Sequence, residues 1–84
     1  MLSENDVQAL MDTLRRARPV AEDGADPQQK QEARATMCAV SAQVAEYYRP
    51  RCTDKQLPPV DRDAAKLMLR LMEKDMARYA PEAR

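Results

Sequence analysis

The side chains of this 84-residue chain best suited to chemistry are two thiols, two close carboxylate pairs and one run of aromatics and arginines. They are Cys38 and Cys52, Asp61/Asp63 and Glu73/Asp75, and Tyr47-Tyr48-Arg49-Pro50-Arg51. None stands near a histidine, because the sequence contains none. That removes the commonest general base and the commonest metal ligand together. No Ser-His-Asp or Cys-His nucleophile can be assembled, and a single glycine cannot build a phosphate-cradling loop. Two cysteines without histidine cannot close a tetrahedral zinc site inside one chain. The carboxylate pairs fall at helix starts or among basic residues, so solvated helix faces account for them better than acid–base catalysis does. Cys38 reads as a small buried hydrophobe. Cys52 sits beside Arg51 and Lys55, the setting of a reactive thiol, but an incidental exposed thiol is the simpler expectation. The chain is therefore expected to be no enzyme and to hold no cofactor and no metal.

What remains is binding. Tyr47, Tyr48, Arg49 and Arg51 gather the residue types that dominate interface hot spots. The plainer reading of the arginines is that cations suit a helix C-terminus. Met68, Met72 and Met76 repeat at helical spacing. Unbranched thioethers fill irregular cores, and they also repack against varied partners. These seven residues are the candidate partner-binding set.

Three helices are needed to position them. Ser3 caps the first, and Val7, Leu10, Met11 and Leu14 follow the helical period. Arg15, Arg16 and Arg18 suit its last turn and Pro19 stops it, giving a helix over 4–18 and a polar loop through Gly24. Asp26 and Pro27 open the second helix as N-cap and first residue, and Arg49-Pro50 ends it, giving 27–48. Ala33, Met37, Val40, Val44 and Tyr47 form a heptad seam along it. Ala35, Cys38, Ala39, Ala42 and Ala45 form an opposite stripe of small residues. Both sides suit packing, which places this helix in the middle. A connection of about ten residues follows, long for a small bundle. Asp61 caps a third helix over 62–79, with a frayed tail beyond Pro81. On that helix Ala65, Met68, Leu69, Met72, Met76 and Tyr79 make one apolar stripe, and Val60, Ala64, Leu67 and Leu71 make a second beside it. One neighbour cannot cover both.

Composition sets the outer bounds. Seven Leu, five Val and six Met, with no Ile, Phe or Trp, form a thin core inventory, and apolar content reaches 44% only through fourteen Ala. A domain this small has little stability to spare, so a homodimer or a bound partner is expected to supply the missing burial. Fourteen basic residues balance fourteen acidic ones, so nucleic acid is not the expected partner. The charge is uneven, however: residues 1–48 sum to −3 and residues 49–84 to +3. No basic and apolar leader opens the chain and no apolar run could span a membrane, so a cytoplasmic protein is expected. Arg outnumbers Lys ten to four, a bias of GC-rich coding that suits a bacterial or phage source.

The expected fold is all-α, a small three-helix bundle or an intertwined helical homodimer, in one domain. The expected function is a small protein-binding regulator that occludes or modulates a larger protein, as an inhibitor, an anti-activator or a small secretion-type chaperone. A helical DNA-binding transcriptional regulator is the alternative. A helix-turn-helix needs a turn of three or four residues, and both connections read as longer.

Overall fold

The computed structural model describes residues 2–81. Three helices follow one another, α1 (Glu4–Asp23), α2 (Pro27–Tyr48) and α3 (Pro59–Tyr79), with a short 3-10 turn, Pro50–Thr53, between α2 and α3. The chain is an all-α three-helix bundle. The tail beyond Pro81 lies outside the described residues.

Local signals explain most of the boundaries. Ser3 accepts from the Asp6 amide at 3.1 Å while its own amide donates to the Asp6 carboxylate at 2.9 Å, a reciprocal capping box. These bonds hold the Asp6 carboxyl below its ordinary pKa. Asp26 accepts from the Gln28 amide at 2.9 Å and Pro27 takes the first helical position, so α2 begins and ends where the sequence placed it.

The other two helices are longer than expected. α1 runs through Pro19 to Asp23. An interior proline removes one backbone hydrogen bond and crowds the preceding turn, at a cost of about 3 kcal/mol. The turn beyond it persists because Ala21 is fully buried and the Glu22 carboxylate is held by α3. Gly24 then ends α1, its amide donating to the Val20 carbonyl at 2.9 Å. A Cβ at Gly24 would stand 2.5 Å from that same oxygen, which is why a residue without one sits there. α3 begins at Pro59, so Asp61 is a first-turn acid rather than the cap. Proline at the first helical position costs no hydrogen bond and comes with its φ preset.

The α1–α2 connection is thus Gly24-Ala25-Asp26, three residues and not a long loop. It makes an antiparallel hairpin: Val7 and Gln8 near the start of α1 line one concavity with Tyr47 and Tyr48 at the end of α2. The helices lie along each other and not steeply crossed as in a helix-turn-helix.

Helix α2 touches both neighbours, whereas no Cα of α1 comes within 8 Å of one of α3. Its core residues Met37, Val40, Ser41, Val44 and Ala45 span one continuous arc. The stripe of small residues expected to pack a second side is only partly used. Ala45 is buried, Cys38 and Ala42 are half-buried, and Ala35 and Ala39 are exposed. Met11, Met68 and Met72 line a groove along the wider α1–α3 seam, where flexible thioether side chains suit an irregular surface.

Candidate functional site

The bundle has two chemically different ends. At one, the close of α1, the start of α2 and the close of α3 meet. Arg18 donates two parallel hydrogen bonds to Asp75, at 2.8 and 3.1 Å. Glu22 accepts from Arg78 at 2.6 Å and from the Tyr79 hydroxyl. Arg34 donates to the Arg78 carbonyl at 3.1 Å and lies over the Tyr79 ring, 5.2 Å from its centroid. That bond satisfies a carbonyl the α3 terminus would otherwise leave unpaired. The Arg78 and Tyr79 bonds bring the Glu22 carboxyl down to about 2. Burial, followed by Glu22 itself, pushes the Tyr79 hydroxyl up. The Arg18–Asp75 and Arg78–Glu22 pairs both run from α1 to α3, so this end fastens the two helices.

At the other end the start of α1, the close of α2, the 3-10 turn and the start of α3 come together. Tyr47 and Tyr48 are set edge to face, with centroids 5.0 Å apart. Arg51 lies over the Tyr47 ring, 4.3 Å from its centroid. The expected ten-residue connection is ordered here. Pro50 opens the 3-10 turn, and the Asp54 carboxylate accepts from the Gln56 amide at 2.9 Å to turn the chain back toward α3. Leu2, Glu46, Tyr47, Pro50, Arg51 and Asp54 line one concavity. A second, on the α1–α3 side of Tyr48, adds Glu4, Gln8, Leu57 and Met68. Burial, followed by the neighbouring Tyr47, raises the Tyr48 pKa, so the hydroxyl stays protonated and can donate or accept. The Cys52 thiol donates to the Tyr48 carbonyl at 3.4 Å, which ties the turn to α2.

Of the seven residues singled out in the sequence, Tyr47, Tyr48 and Arg51 are brought together, all half-buried. Arg49 is exposed and pairs outward with Glu46, outside the stack. Met68 and Met76 are half-buried against the core. Met72 is 3% exposed and belongs to the core, and it also lines a groove between α1 and α3 with Met11, Met68 and Leu71. Sequence reasoning passed over Leu2, Glu4, Gln8 and Leu57. For Leu57 a signal existed, an isolated apolar residue ahead of two prolines in a polar connection. The Arg18–Asp75 and Glu22–Arg78 pairs join residues 57 and 56 apart and leave no local signal.

Among the described residues no helix is long and apolar enough to cross a membrane. Comparison with protein-family models, with curated proteins and with solved structures gives no match to this chain.

Proposed function

We propose that this protein is a small non-catalytic regulator that binds a larger protein through the Tyr47–Tyr48–Arg51 end of the bundle and occludes or modulates it. The observation that carries this reading is the stack itself. Arg51 lies over Tyr47, and Tyr47 meets Tyr48 edge to face, at the mouth of two concavities, of which the one lined by Leu2 and Pro50 is mainly apolar. Side chains already ordered lose less conformational freedom on binding. Tyr and Arg placed this way present large apolar faces together with donors, the composition of hot spots. Glu4, Asp54 and Asp61 at the rim favour a partner surface that carries some positive charge.

The test is affinity capture from the native host, comparing the wild-type chain with Tyr48→Ala/Arg51→Ala, followed by mass spectrometry. A specific protein retained by the wild type and lost by a variant of unchanged helicity supports the proposal. Retention of the same protein by both, or of nucleic acid in place of protein, overturns it.

A further inference from the structure

Three of the large hydrophobic side chains left in solvent lie on one line of α3. Val60 is 71% exposed, Leu67 57% and Leu71 43%, and Ala64 between them is exposed as well. Their spacing of four, three and four residues is that of a coiled-coil seam, about 17 Å long at 1.5 Å per residue. The seam touches the Tyr47–Arg51 end only at Ala64, which also lines the concavity beside Tyr48, and it is distinct from the inward face of Ala65, Met72 and Tyr79.

Charge along its edge selects what would cover it. Projected at 100° per residue, Asp63 and Arg70 flank the same edge of the stripe, one toward each end, and both are exposed. Neither is held in an ion pair among the described residues. We infer that the seam is a self-association surface on which a second copy of α3 packs antiparallel. In the register that places Val60 against Leu71 of the second copy, Ala64 meets Leu67 of that copy, and all four layers are apolar. Each layer then opposes a larger side chain to a smaller one, which lets the two helices interdigitate. The same register brings Asp63 beside Arg70 of the second copy, twice by symmetry. Parallel pairing would instead set each seam residue against its own copy, Ala64 against Ala64 among them, and would part Asp63 from Arg70 of the second copy. The two-fold also makes the contact self-complementary and closed.

Three turns of helix make a small interface, so the dimer is weak and dissociates on dilution. Sedimentation equilibrium from about 10 µM to 1 mM, the range of weak association, reads it directly. The wild type is expected to shift reversibly from monomer to dimer, and Leu67→Asp to stay monomeric with unchanged helicity. Asp63→Arg and Arg70→Asp each place like charges across the two-fold and should each stay monomeric alone. Mixed in equal amounts they regain complementarity and should form a heterodimer at least as readily as the wild type forms its dimer. A wild type monomeric across the range overturns the inference, as does a dimer indifferent to Leu67→Asp. A mixture no more associated than its components overturns the antiparallel arrangement.

Discussion

Glu22 shows how one side chain can secure an element that local sequence would end. Its carboxylate accepts from Arg78 and Tyr79, which brings its pKa from an ordinary 4.5 to about 2. A folded-state value below the unfolded one means that the stabilisation is complete above the unfolded value. It is lost as pH falls from about 4.5 toward about 2. The melting temperature of the wild type should therefore drop through that window. Glu22→Gln should melt lower at neutral pH and fall less steeply in acid, so that the two curves converge near the bottom of the window. Parallel curves in thermal scans at stepped pH would mean that Glu22 titrates alike folded and unfolded. Ser41 presents the opposite case. It is fully buried, and its hydroxyl has no hydrogen-bond partner among the described residues. A buried unpaired polar group costs about 1–3 kcal/mol, so Ser41→Ala should stabilise the fold by about 1 kcal/mol in urea denaturation. A loss of stability would show that the hydroxyl finds a partner in solution. Neither property of these residues can be read from the chain alone, because both depend on what is packed against them.

The helices were legible to different degrees, for identifiable reasons. α2 was read to the residue because Asp26, Pro27 and Pro50 act locally and agree with one another. α3 was read to its last residue but started three residues late, since Asp61 looked like a cap and Pro59 at the first position served instead. α1 was cut short at Pro19 because the rule that proline stops a helix weighs only local cost. Ala21 and Glu22 outweigh that cost through tertiary contact. Their contribution can be tested at the proline itself. Pro19→Ala restores the missing backbone bond and removes the crowding, offset by the greater freedom of the unfolded chain. A gain of about 1–3 kcal/mol in stability is expected, read as a raised denaturation midpoint with unchanged slope. No gain would mean that the turn beyond residue 19 makes no intact helix for alanine to complete. The second apolar stripe of α3 was correctly seen as more than one neighbour could bury, and it is the part left in solvent.

Across the whole molecule the helices form a slab of 46 × 29 × 20 Å with a radius of gyration of 14.1 Å. A folded chain of this length is expected near 12 Å, so the bundle is extended and leaves much surface available. One end is fastened by two ion pairs between α1 and α3, and the other presents an aromatic–arginine stack beside open concavities. The stack was legible in the sequence because its members are neighbours in the chain. The fastening was not, because its partners are far apart in sequence and meet only through the fold. Binding at the stacked end is the central claim, and Arg51 is its cleanest probe. Tyr48 packs against the core, so its truncation also loosens the fold, whereas Arg51 contributes a single stacking contact worth about 0.5–1 kcal/mol at a surface site. The most direct measurement is calorimetric titration of the captured partner into the wild type and Arg51→Ala, with both shown to melt within a few degrees of each other. Loss of a hot-spot arginine costs about 2 kcal/mol or more, close to a thirtyfold weakening. A weakening of that size at preserved stability is the predicted result, and a dissociation constant unchanged from the wild type would contradict the account.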